Sequence, residues 1–120
     1  MKGPTALTRR AQYSLVYQEG RTWVDGLLVM KALPNSLSFS RFGFSVTKRV
    51  GKAVQRNRLK RILREITRLQ SIKSGWDIIF IVRPVAVTAG YHQLEKVVTR
   101  LLTQSQLLEG NNETANSRFN

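Results

Sequence analysis

Cysteine is absent from this 120-residue chain, and histidine occurs once, as His92. Disulfides, thiol redox chemistry and zinc cages built from Cys and His are thereby excluded, and a cytoplasmic setting fits. Acids are almost as scarce. Seven of them, Glu19, Asp25, Glu65, Asp77, Glu95, Glu109 and Glu113, stand against 20 Lys and Arg. They include no close-set pair of Asp suited to a two-metal nuclease site. His92 reads as a surface residue near the start of a last helix, so no catalytic residue and no metal ligand is assigned to this chain. Long apolar runs are missing too. None approaches the ~20 residues a spanning helix needs, the opening MKGPTALTRR lacks the apolar core of a signal peptide, and no membrane partner is expected. Gly51-Lys52 is not a phosphate loop, because Ala53 follows the lysine and Val46 stands where the first glycine belongs.

What is present is enough apolar surface for a core and a large excess of positive charge. Hydrophobic residues make up 42% of the chain, sufficient to offset chain entropy and to argue against global disorder. A domain of this size buries roughly two thirds of its unfolded surface. The chain therefore reads as one domain over residues 9–108, between a flexible lead-in at 1–8 and a polar tail at 109–120 that is read as disordered. The net charge of +13 points to a polyanionic partner, nucleic acid above all.

Taken in order, Arg9 to Glu19 predicts a short helix with Thr8 as its cap, Gly20 as its stop and Ala11, Leu15 and Val16 as its packing stripe. Tyr13 and Tyr17, four apart, share one face of it. Two readings of that pair stand side by side, packing in the core and stacking on unpaired bases. Thr22–Val24, the turn Asp25-Gly26 and Leu27–Leu33 predict two strands. Leu37–Thr47 predicts a third, in which Phe42, Phe44 and Val46 alternate with Gly43, Ser45 and Thr47. Its small polar face is either plain surface or the floor of a groove for a nucleic-acid strand. Trp76–Val82 is an apolar strand interrupted only by Asp77. A last helix, capped by Thr88, carries Tyr91, Leu94, Val97, Val98, Leu101, Leu102 and Leu108 at helical spacing. Strand, helix and strand in succession imply a βαβ unit, normally of right-handed connection.

The helix of that unit holds most of the charge. From Lys48 to Arg68 there are nine Lys and Arg and one acid, Glu65, which amounts to +8 of the chain's +13. Leu59, Ile62, Leu63, Ile66 and Leu69 predict its buried stripe. Asn57, Arg61, Arg64 and Arg68 fall within about 60° of one another on the opposite side, flanked by Lys60 and Arg56 on one hand and Arg58 on the other. A face meant only for solubility interleaves acids at i,i+4, because like charges at that spacing cost a few tenths of a kcal/mol each. Here such relief is nearly absent, and an external polyanion is implied.

Phe44 to Glu65, FSVTKRVGKAVQRNRLKRILRE, with its RNR segment, resembles the signature of the bacterial ribonuclease P protein component. Arg10–Gly20 is similar to that family's first helix and Trp76–Arg83 to its last strand. The resemblance implies an α/β domain of α+β character, in the order helix, three strands, basic crossover helix, strand, helix, with a left-handed βαβ crossover. It also implies a protein subunit that binds a catalytic RNA and the 5′ leader of precursor tRNA, the Mg²⁺ ions and the active site belonging to the RNA. Lys48, Arg49, Lys52, Arg56, Asn57, Arg58, Lys60, Arg61, Arg64 and Arg68 then match the RNA-contacting motif. Tyr13 and Tyr17 match two aromatics, usually phenylalanines, of the leader cleft, with Ser45 and Thr47 on the facing strand. Lys31 falls where some relatives carry an aromatic. A stand-alone or ribosome-associated RNA-binding protein is the alternative, and the RNA that copurifies separates the two.

Overall fold

The computed structural model describes residues 5–109, so residues 1–4 and 110–120, the greater part of the two predicted terminal segments, lie outside the described residues. The elements run β1 (Thr5–Ala6), α1 (Arg10–Glu19), β2 (Arg21–Asp25), β3 (Leu28–Pro34), β4 (Arg41–Ser45), α2 (Ala53–Leu69), β5 (Trp76–Val82), a 3₁₀ turn (Pro84–Ala86) and α3 (Tyr91–Gln104). Apart from β1 and the 3₁₀ turn, this is the predicted order. The strands form one mixed sheet in the order β1-β4-β5-β3-β2. β4 is parallel to β1 and β5, while β5, β3 and β2 are antiparallel in turn.

β5 lies in the middle of the sheet with helices on both faces, which is why its sequence is apolar almost throughout. Ile78, Phe80 and Val82 join Leu28, Met30, Ala32 and Phe42 beneath Leu59, Leu63 and Ile66 of α2 and Leu94, Val98 and Leu101 of α3. Ile79 faces the other way, into a smaller cluster with Leu7 and Val16 of α1. One face of the sheet is thus roofed by two helices and the other by a single short one. That asymmetry leaves open surface beside α1.

Several predicted details are corrected by packing. Residues 5–8 are not a loose lead-in, because Thr5 and Ala6 pair with Arg41 and Phe42, and Leu7, only 4% exposed, donates its N–H to the Phe42 carbonyl at 2.8 Å. α1 buries Val16, whereas Leu15 is half exposed and Ala11 exposed. Its cap is Arg9, not Thr8, and Gln12 Oε1 accepts both the Thr8 and Arg9 N–H groups. In α2, Leu69 is exposed and Thr67 takes its place in the core. The buried arc centres on Leu63 and Ile66, and Leu69 falls on its rim at the last turn. Thr67 satisfies its hydroxyl on the Leu63 and Arg64 carbonyls, as a buried helical threonine must. α3 begins at Tyr91 with Gly90 as its cap, because the chain from Ala86 to Ala89 is still turning. It ends at Gln104, where Gln106 turns the chain with φ 63°, and Leu108 bridges Ile72 instead of extending the helix.

β4 is shorter than the predicted 37–47. At its start, Asn35 Oδ1 accepts the Leu37 N–H at 2.8 Å in a tight turn, and the same side chain donates to Asp77 at 2.9 Å. Asp77, 4% exposed, also receives Arg41 through Nε at 2.8 Å and Nη2 at 2.7 Å. The acid raises Arg41 above the ordinary arginine value, the hydrogen bond to Asp77 outweighing burial. At the far end of the sheet, Asp25 on β2 takes Arg100 of α3 at 2.7 Å, and that hydrogen bond holds its carboxyl below the usual range.

Candidate nucleic-acid interface

Three elements build the charged and aromatic surface: α1 on the lightly roofed face, α2 on the other, and β4 between them. β1 covers the outer edge of β4 only as far as Phe42. Beyond that point no strand among the described residues pairs with the edge.

On the α1 face, Lys31, Ile79 and Gly43 stand in one cross-strand row, and Val29, Ile81 and Ser45 in the next. The predicted cleft residues Lys31 and Ser45 therefore share a face with α1. Both are half-buried, and Lys31 Nζ donates to Thr22 Oγ1 at 2.7 Å. Thr47 does not join them. β4 ends at Ser45, and Thr47 is an exposed residue whose carbonyl closes the next turn by accepting the Val50 N–H. Tyr13 lies half-buried with its ring against Gly43, and its hydroxyl donates to the Leu7 carbonyl at 3.3 Å. Burial, and then the neighbouring Tyr17, push its phenol above the usual value, while the Phe44 backbone acts the other way. Tyr17 is 39% exposed, so it presents ring surface to solvent.

α2 divides its cations. Arg61 and Arg64 are exposed on the ridge, with Asn57 beside them. Arg68 reaches Glu65 at 2.7 Å, so the single acid of this helix serves Arg68 and not Arg61, the residue four before it. Arg56 donates to the Gly51 carbonyl at 2.7 Å, and Arg58 to the Ala89 carbonyl at 2.6 Å. Those two guanidinium groups fasten the helix to the segments before it and after β5. Lys48 and Arg49 are exposed in the turn preceding α2, Lys52 is its N-cap residue, and no acid occupies its first turn. Positive side chains at the positive end of a helix dipole repel it and one another. An anion brought from outside relieves both.

The two halves of this surface meet in a groove of about 400 Å³ that passes round the open edge of β4. Tyr13, Leu7 and Gly43 line it from the α1 side, and Phe44, Lys60, Arg64, Thr67 and Arg68 from the α2 side. Of the residues predicted for the two sites, Tyr13, Lys60, Arg64 and Arg68 are brought together here. Leu7, Phe44 and Thr67 were not foreseen as lining residues. The one sequence signal was Gly43, since a glycine inside a strand often marks a close approach. Among the described residues, no three His, Asp or Glu side chains converge, and no helix is long and apolar enough to cross a membrane.

Known proteins share both the sequence and this shape. The Ribonuclease P family profile matches residues 1–106. The ribonuclease P protein component of Dehalococcoides mccartyi strain 195 is 51% identical over 98% of this chain and 98% of its own. That of Roseiflexus castenholzii is 42% identical over 92% and 93%. Among solved structures, the Staphylococcus aureus RNase P protein superposes with a TM-score of 0.80 at 26% identity, covering 87% of this chain and 97% of its own. The Thermotoga maritima RNase P protein gives 0.77 at 30% identity, covering 88% and 98%.

Proposed function

Because the chain belongs to the ribonuclease P protein family, we propose that it acts in tRNA 5′ maturation by binding the catalytic RNA subunit along the α2 ridge and the unpaired 5′ leader of precursor tRNA beside α1. The observation that carries this reading is the groove that joins Tyr13 to Lys60 and Arg64. A single strand needs a stacking surface for its bases and cations spaced along its phosphates. The groove supplies both, and Tyr17, a neighbour of Tyr13, adds exposed ring surface. The arginines of the ridge pair bidentately with phosphate and position an RNA without reading its sequence. Asn57 can both donate to and accept from sugar or base edges. The Mg²⁺ ions and the bond-breaking chemistry belong to the RNA subunit, and the assembly works in the cytoplasm.

Salt titration of RNA binding sorts the cations. Each phosphate contact releases counterions, so losing one lowers the slope of log K against log salt by roughly 0.7 to 0.9. Arg61→Gln and Arg64→Gln are each expected to flatten the slope by about that amount while the melting temperature holds. An unaltered slope in the folded double variant would make the ridge a solvated face. Arg58→Gln is expected to differ in kind. It removes the hydrogen bond to the Ala89 carbonyl, so melting temperature falls, by an amount equivalent to about 1.5 kcal/mol, and the slope stays. A slope reduced by one contact at unchanged melting temperature would make Arg58 a phosphate ligand instead.

A further inference from the structure

Resting on the leader-cleft reading, we infer that Gly43 is a positioning residue: its missing side chain is the seat that holds Tyr13 in the groove. Glycine weakens a strand interior, having no side chain to pack and the most backbone freedom to lose. Something must therefore require it here. Backbone conformation does not, because Gly26 and Gly75 have positive φ and Gly43 does not. What it lacks is room. A Cβ on Gly43 would stand 2.6 Å from the Tyr13 hydroxyl, 2.7 Å from Cζ and 2.8 Å from Cε2, and these are its three nearest neighbours. A Cβ essentially never stands so close to another atom, so with alanine at 43 the ring must shift.

The ring is not free to tilt and stay. Its hydroxyl is held by the Leu7 carbonyl, just where β1 stops covering the edge of β4. The same ring forms the wall of the groove that faces Lys60 and Arg64. Lifting Tyr13 from Gly43 therefore breaks its tether, opens the strand edge and removes the stacking wall from opposite the cations. Tyr17, exposed and not seated on Gly43, keeps its place on the helix.

The experiment uses the holoenzyme assembled with the cognate RNA subunit and reads the ratio of affinities for precursor and mature tRNA, with melting temperature alongside. Tyr13→Ala is expected to reduce that ratio roughly tenfold, the order of one lost stacked base. Gly43→Ala should reduce it by a similar factor through displacement alone. In the double variant the two losses should not multiply, and the ratio should match that of Tyr13→Ala within about twofold, because removing the ring removes the clash. Melting temperature gives a second reading. Gly43→Ala should lower it, and adding Tyr13→Ala should recover part of the loss. Multiplying losses, an unaltered ratio in Gly43→Ala, or a double variant that melts lower than both singles would each overturn the role of Gly43. If Tyr13→Ala and Tyr17→Ala both leave the ratio unchanged, it is the leader-cleft reading that fails, and the seat then has structural meaning only.

Discussion

Purified free of RNA, the protein is expected to leave precursor tRNA intact, and adding the cognate RNA subunit to the same preparation is expected to restore cleavage at the 5′ boundary at low Mg²⁺. The first half follows from the inventory of side chains. Hydrolysis of a phosphodiester needs an activated water and a way to stabilise the charge that develops, normally a metal pair or a tuned acid and base. Of the acids in the described residues, Asp77, Asp25 and Glu65 are engaged by Arg41, Arg100 and Arg68, and Glu95 faces His92. None of the four stands among the groove-lining residues. The second half follows from the cations. In the proposed assembly, Arg61, Arg64, Lys48 and Arg49 would bring fixed positive charge to an RNA that otherwise needs more divalent ions to hold its phosphates together. The measurement is cleavage of end-labelled precursor tRNA across a Mg²⁺ series, by protein, by RNA and by both. Vigorous cutting by protein shown to be free of RNA would sink the proposal. So would a Mg²⁺ requirement that the protein leaves unchanged.

The charged half of the surface was legible in the sequence because charge is read directly and a helix converts spacing into position. Once Leu59, Leu63 and Ile66 fix the buried face, Arg61 and Arg64 can only lie opposite, and they do. What a wheel cannot give is the partner of each arginine. Arg56 and Arg58 carry the same charge as Arg61, but their hydrogen bonds to Gly51 and Ala89 depend on where the preceding turn and the segment after β5 pass. Arg58 and Ala89 are 31 positions apart in the chain. The apolar strand β5 was placed from Trp76 to Val82 because burial on both faces leaves a run broken only at Asp77. The two-residue β1 carries no periodicity at all, and only the tertiary pairing with Arg41 and Phe42 creates it. The groove was invisible for the same reason, since β1, α1, β4 and α2 each contribute one or more of its residues and only tertiary packing brings β1 and α1 against β4 and α2. Thr47 was misplaced by extending a period-2 pattern beyond the point where the chain turns. The alternation was sound through Ser45, and a strand's last residue is decided by its neighbour, here Ile81, and not by its own sequence.

Asp77→Ala is expected to destabilise the protein by about 3 kcal/mol, the lower end of the range for breaking a buried ion pair, and to lower its melting temperature by roughly 10 °C. Asp77 was visible in the sequence only as the sole interruption of an apolar strand. In the structure it is the acceptor for three hydrogen bonds, two from Arg41 and one from Asn35. Removing it leaves an arginine and an amide aimed at an empty site under the end of the sheet. The lower end of the range applies because Arg41 keeps 21% of its side chain exposed and can recover part of its hydration. The consequence reaches the groove. Arg41 pairs with Thr5 in the sheet, so loosening it loosens β1, and β1 leads directly to Leu7, whose carbonyl holds the Tyr13 hydroxyl. Asp77→Ala should therefore also weaken the preference for precursor over mature tRNA in the holoenzyme, although Asp77 is not among the residues that line the groove. Replacing both partners tests the cause. If the penalty is the unpaired charge, Arg41→Met with Asp77→Leu should melt above Asp77→Ala, because apolar side chains of similar size need no partner. A double variant that melts below Asp77→Ala would show that the fork itself, and not the orphaned arginine, is what the sheet depends on. A single variant that melts within about 2 °C of the parent would remove Asp77 from the account of stability altogether.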